Sequence, residues 1–145
     1  MNKVINPDTY GENFKVDAAL ASFAGRVAEA QLADMLDFAN EQPTGSTLYQ
    51  VQPWPEVMQH PRIVSVRFDQ CQLGQRNSRG EHVKKPTELA ASDRDLIHFF
   101  EGLTCGHFPK RCSGNHAPLT GTEAYRARIW PWDVLPGGWH GASCG

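Results

Sequence analysis

Cys105, His107, Cys112 and His116 fall within twelve residues and form the densest group of soft metal ligands in the sequence. Zinc takes four such donors in a tetrahedron, and short Cys/His loops supply them because only tight turns separate the ligands. The count therefore points to a zinc site. The spacing departs from the usual pairs of two to five intervening residues, because Cys105 and His107 have only one residue between them. The other reading is that Cys105 is a small buried residue and both histidines lie at the surface. Lys110 and Arg111 sit between the ligands, so a zinc-stiffened loop would present two positive charges to a nucleic-acid backbone. Cys71 stands apart at the end of an expected strand. It reads first as core; as a nucleophile it would need His82 across a hairpin as its base.

A second basic group comprises Arg76 and Arg79 in a polar loop and Lys84 and Lys85 on the returning chain. These residues either contact phosphates or form a solvated loop. The charge of the chain is uneven in the same sense. Residues 1–56 carry 3 basic and 8 acidic groups, and residues 57–145 carry 11 basic and 8 acidic groups. The basic half is thus the candidate for a phosphate-bearing partner.

The elements that must position these residues follow from periodicity. Ile63 to Phe68 predicts a central strand with Val64, Val66 and Phe68 on one face and Ser65 and Arg67 on the other. A return through His82 to Thr87 predicts a hairpin or strand-loop-strand. Upstream, Leu20, Ala24, Val27, Ala28, Leu32, Met35 and Leu36 recur at helical spacing, predicting a helix from about Asp17 to Asp37 with one buried stripe and Asp17 as its cap. The segment before it, with Pro7 and Gly11, reads as a surface leader. Gly25 interrupts the helix at a cost of about 1 kcal/mol relative to Ala, which suggests close packing against a neighbour. Ser92-Asp93-Arg94-Asp95 matches a capping box, and Leu96, Phe99, Phe100 and Leu103 predict a three-turn helix leading into Cys105. A helix, a turn, a strand, a hairpin and another helix together give the α/β class.

At 145 residues with 40% hydrophobic content, the chain is one domain, or part of one, with enough apolar residues for a core. We assign 1–135 to that domain and 136–145 to a flexible tail. No apolar run reaches the roughly 18 residues of a membrane span, and the N-terminus lacks the pattern of a signal peptide. An intracellular protein with reduced thiols and no membrane partner is expected. There is no internal repeat and no Gly-rich phosphate loop.

The order of several motifs carries a resemblance. Val64 to Gly74, with Asp69-Gln70-Cys71 at the strand end, is followed by Lys85-Pro86-Thr87, a predicted helix, and then Cys105, His107, His116 and Gly121. Upstream lies Glu41-Gln42-Pro43-Thr44-Gly45-Ser46-Thr47-Leu48-Tyr49. This arrangement, across about residues 14–135, resembles DNA-methyltransferase-like proteins of phages and of retroelement polyproteins, related to cytosine C5 enzymes. The resemblance implies the C-terminal part of a Rossmann-like methyltransferase sheet, with DNA as the partner. It also implies that Glu41 would hydrogen-bond the target cytosine. Gln42 stands where the pattern has Asn, and residues 1–40 contain neither a Gly-rich strand-loop nor a Pro-Cys nucleophile. On this reading the chain is a fragment or a degenerate relative, inactive alone, that would use S-adenosylmethionine only if completed by an upstream region. A small zinc-stiffened nucleic-acid-binding module and a structural remnant of a mobile element are the alternatives.

Overall fold

A computed structural model describes residues 7–106 and 112–127. The helix α1 spans Pro7–Ala33, beginning ten residues before the expected Asp17. Proline is well tolerated at the start of a helix, where its missing N–H has no partner to lose, so the expected leader from Pro7 onward is helical. The predicted stripe is buried only in part. Ala28 and Leu32 face inward together with Ala21, whereas Leu20, Val27, Met35 and Leu36 are exposed, as is Phe23. The reason lies at Gly25, where an added Cβ would come within 2.7 Å of Pro53 Cδ and 3.2 Å of Trp54 Cδ1. The small residues Ala21, Gly25 and Ala28 admit this close approach, and Leu20, Phe23 and Val27 are left outside it; the helix also ends at Ala33, short of the expected Asp37, so Met35, at φ 58°, and Leu36 lie in the turn beyond it.

Trp54 lies at the start of α2, Trp54–Gln59. Its indole Nε1 donates to the Ala21 carbonyl at 2.8 Å, which satisfies the polar end of a ring that is 1% exposed. With Ala28, Leu32 and Val57 it forms one apolar cluster, flanked by Phe38, Leu48, Tyr49 and Ile63.

Three strands form an antiparallel sheet in the order β1-β3-β2, with β1 at Ala39–Pro43, β2 at Val64–Asp69 and β3 at Pro86–Ala91. The alternation expected along β2 is present: Ser65 and Arg67 are exposed, while Val64, Val66 and Phe68 pack toward a second cluster with Leu89, Ala91, Ile97 and Phe100. The central position, however, belongs to β3, and β2 is an edge. Thr87, Glu88, Leu89, Ala90 and Ala91 are all buried. Their composition is a weak strand signal, and pairing on both sides overrides it. The fold is therefore mixed α/β with a small antiparallel sheet. Each observed strand pair is antiparallel, whereas the strands of a Rossmann-like sheet are mostly parallel.

The helix expected after Ser92 is replaced by two 3-10 turns, Arg94–Leu96 and His98–Phe100. The Ser92 hydroxyl is occupied elsewhere, accepting from Phe38 N at 2.9 Å and donating to Asp37 Oδ1 at 3.2 Å. Asp93 caps the first turn instead, accepting from Asp95 N at 2.8 Å. Ile97 then has a non-helical φ of -129° and inserts into the core. A short helix α3, Gly121–Arg126, closes the described chain. The expected tail at 136–145 lies outside the described residues. Among the described residues, no helix is long and apolar enough to cross a membrane.

Candidate metal centre

Three segments meet at one point. Strand β2 ends at Asp69, and the 3-10 turn Gln70–Leu73 that follows buries Cys71 completely. The turn is fixed from both sides: Gln70 N donates to Lys85 O at 3.1 Å, and Gln70 Nε2 donates to Thr87 Oγ1 at 3.0 Å. Asp69 then draws in the second segment. Its backbone N–H donates to Leu103 O at 2.9 Å, and its carboxylate accepts from Cys105 N at 2.7 Å. The third segment is the turn from Cys112 to His116. It passes through Gly114 at φ +84°, a left-handed conformation that favours glycine, and it is tied back where Ala117 N donates to His82 O at 2.9 Å.

The ligand atoms of Cys71, Cys105, Cys112 and His116 consequently lie within 4.8 Å of one another. Cys105 Sγ is 3.6 Å from Cys112 Sγ, and His116 Nε2 is 3.5 Å from each of these sulfurs. A tetrahedron with zinc–sulfur bonds of about 2.3 Å has sulfur–sulfur edges of about 3.8 Å, so the spacing suits one ion at the centre. A disulfide would need about 2.05 Å, and all three cysteines are free thiols. Gln72 Nε2 braces the group, donating to Cys112 Sγ at 3.2 Å and to Cys71 Sγ at 3.5 Å. Four residues of this type in this geometry could hold a metal such as zinc.

The thiols differ in acidity. Burial pushes Cys71 up to about 12, and contacts with the neighbouring thiols add to the rise. Burial likewise raises Cys105, helped by its hydrogen bond to Cys112. Burial acts upward on Cys112 too, but hydrogen bonds from the Gly114 N–H, His116 and the other two thiols outweigh it and bring Cys112 down to about 7. Cys112 is thus the thiol that ionises most readily around neutral pH, and the other two need a cation before they ionise.

Of the four ligands expected from sequence, Cys105, Cys112 and His116 are brought together, and His107 lies outside the described residues. Cys71 joins them, although its position at a strand end suggested core or a nucleophile. It is fully buried, and no hydrogen bond to His82 supports it as a nucleophile; His82 Nδ1 has no partner. The signal for Cys71 was Gly74 three residues later, which ends the turn at φ +84°, much as Gly114 shapes the turn after Cys112.

The remaining expected site residues are scattered. Arg76 Nη1 donates to Gly80 O at 2.7 Å, and Arg79 pairs with Glu81 at 2.9 Å. Lys84 Nζ lies 3.7 Å from the Asp69 carboxylate, which also accepts from Cys105 N in the Cys/His cluster. Lys85 turns inward, with Nζ 3.6 Å from Glu41 Oε1 and donating to Ala127 O at 3.2 Å. Glu41 sits within β1 opposite Leu89, and its buried Oε1 accepts no hydrogen bond. Lys110 and Arg111 lie outside the described residues. Comparison of the chain with family models, curated proteins and solved structures finds no match, so the site is read from its own geometry.

Proposed function

We propose that the chain is a small zinc-binding module in which the metal is structural. The observation that carries this reading is the convergence of three sulfurs and one imidazole nitrogen within 4.8 Å, from segments as far apart as residues 71 and 116. Four protein donors close a tetrahedron and leave no position for water or substrate, which is the mark of a structural rather than a catalytic site. The surroundings agree. Gln72 orients two sulfurs and Asp69 fixes the Cys105 backbone, the kind of support that metal ligands ordinarily receive. The ion would then tie the 3-10 turn after β2 to the segments on either side of residues 107–111.

Elemental analysis of protein purified without added metal tests the proposal. About one equivalent of zinc is expected, as for any single tetrahedral site, with Cys71→Ser, Cys105→Ser and Cys112→Ser each losing most of it. Retention of full zinc by Cys71→Ser would remove Cys71 from the ligand set. Absence of zinc from the unaltered chain, even after refolding with zinc present, would overturn the reading.

A further inference from the structure

Strand β2 has a partner on one side only. Two hydrogen bonds at its end fix which backbone groups face the open side. Asp69 directs its N–H away from β3, to Leu103 O, and the next residue, Gln70, directs its N–H back to Lys85 O. Residues of an antiparallel strand alternate in this respect. Val64, Val66 and Phe68 therefore bond to β3, opposite Ala91, Leu89 and Thr87, while Ser65 and Arg67 turn both N–H and C=O outward. Among the described residues nothing bonds to these four groups, and both residues are exposed. The opposite edge of the sheet is less open, because β1 ends on Pro43, which has no N–H to offer.

We propose that this edge pairs antiparallel with the same edge of a second copy of the chain, across a two-fold axis at Val66. A row of free donors and acceptors is a template for another strand, and Val64 to Phe68 is complementary to itself. With Val66 opposite its symmetry mate, Ser65 faces Arg67 of the second copy and Arg67 faces its Ser65. All four outward groups of each copy are then satisfied in two hydrogen-bonded pairs. On the other face Val64 meets Phe68 of the second copy, so the apolar row runs on from sheet to sheet, and it covers Val64 and Val66, which are only partly buried in the single chain. The turn His98–Phe100 packs against β2 and leaves Phe99 53% exposed, a further apolar side chain beside the strand. Neighbouring registers are poorer. An axis at Arg67 sets two guanidinium groups directly opposite one another, which is unfavourable, and an axis at Ser65 sets Arg67 against Ile63, whose N–H is already bonded to His60 O. A two-fold pairing also closes on itself, so the assembly ends at two copies. None of these residues is a ligand of the metal centre.

Sedimentation equilibrium of the full chain under reducing conditions, over a series of concentrations, is the test. The mean mass is expected to rise about twofold, to that of a dimer, as concentration increases. Ser65→Pro removes an outward N–H that β3 does not use, a change that edge strands accept, and should leave the chain monomeric. Two charge variants read the register without touching the backbone, and they decide the matter should Ser65→Pro fail to fold. Ser65→Glu, facing Arg67 of the second copy, should tighten the dimer about fivefold, and Ser65→Arg should weaken it by a similar factor, because each change acts twice across the axis. A dimer that none of the three variants alters would overturn the β2 edge as the interface. A chain that stays monomeric at every soluble concentration would overturn the second copy as the occupant of that edge.

Discussion

Around Trp54 the chain is closed by apolar packing, whereas around Cys71 it is closed by sulfur, carboxamide and carboxylate. The first region buries Ala28, Leu32, Trp54 and Val57 against one another, and its one buried polar tip, the indole N–H, has a partner at 2.8 Å. The second buries Asp69, Gln70, Gln72 and Gln75 within four residues of a fully buried thiol, together with Thr87, which is hydrogen-bonded to Gln70. Buried polar atoms cost free energy unless paired, and in this region Gln70 Oε1 and Gln75 Oε1 remain without partners. The contrast shows two ways to order a chain of this size. The helical side depends on area removed from water. The Cys71 side depends on a few directed bonds, and a cation bound by its three sulfurs would add the strongest of them.

If that comparison is right, removing metal should divide the molecule. Structural zinc in small peptides contributes on the order of 10 kcal/mol at neutral pH, the largest effect expected here. A chelator should raise amide hydrogen exchange from residues 69–75 and 102–106 to near unprotected rates while leaving α1 and α2 protected. Uniform loss of protection along the chain would instead make the two regions one cooperative unit. The acidities give a further check on the same site. Near pH 8 Cys112, brought down to about 7, is mostly ionised, whereas Cys71 and Cys105, both raised by burial, are still protonated. Zinc should therefore displace about two protons near pH 8 and more at pH 6, and its affinity should fall as pH drops through 7. Calorimetry in buffers of different ionisation enthalpy counts them.

Trp54→Ala attacks the other side. A large buried aromatic replaced by alanine costs about 3–5 kcal/mol, and the loss should appear in thermal melts while zinc stoichiometry stays constant. Zinc released in step with the melting of Trp54→Ala would show that the regions are coupled. Gly25→Ala is a finer probe. The new methyl would meet the Pro53 ring at 2.7 Å, and overpacking of about 1–3 kcal/mol outweighs the roughly 1 kcal/mol gained in helix propensity. A small net destabilisation is expected, and a stabilised variant would mean that α1 can shift. Arg67→Ala removes a guanidinium that is 68% exposed and screened by solvent, but it leaves the buried Glu88 carboxylate without its ion-pair partner, so a modest loss of about 1 kcal/mol is expected in thermal melts.

Local pattern was enough for part of this. The alternation of Val64, Val66 and Phe68 is a property of the strand itself, and Gly25 marked a close approach because glycine within a helix is otherwise unfavourable. Cys105, Cys112 and His116 were recognisable because they are near neighbours in sequence. The 3-10 turns at Arg94–Leu96 and His98–Phe100 were not, because the pattern from Ser92 to Leu103 fits a helix equally well. What decided against the helix was the distant pull of Phe38 and Asp37 on the Ser92 hydroxyl. The central place of β3 was hidden for a similar reason: its burial comes from having a partner on each side, which Glu88 and Ala90 do not advertise.

Cys71 marks the boundary most sharply. Its type, its place after a strand and the Gly74 turn beyond it are all written in the sequence, and they establish that a thiol sits at a fixed point on a tight bend. Which groups surround that thiol depends on contacts spanning more than thirty residues. The register of β2 against β3 sets Phe68 opposite Thr87 and Asp69 opposite Pro86, and the Asp69 carboxylate then captures the Cys105 N–H at 2.7 Å. Sequence determines which atoms can ligate, because that is chemistry of the side chain. Only the tertiary structure determines which of them meet, because a distance between segments is set by the sheet register and the long-range hydrogen bonds that close the loops between them.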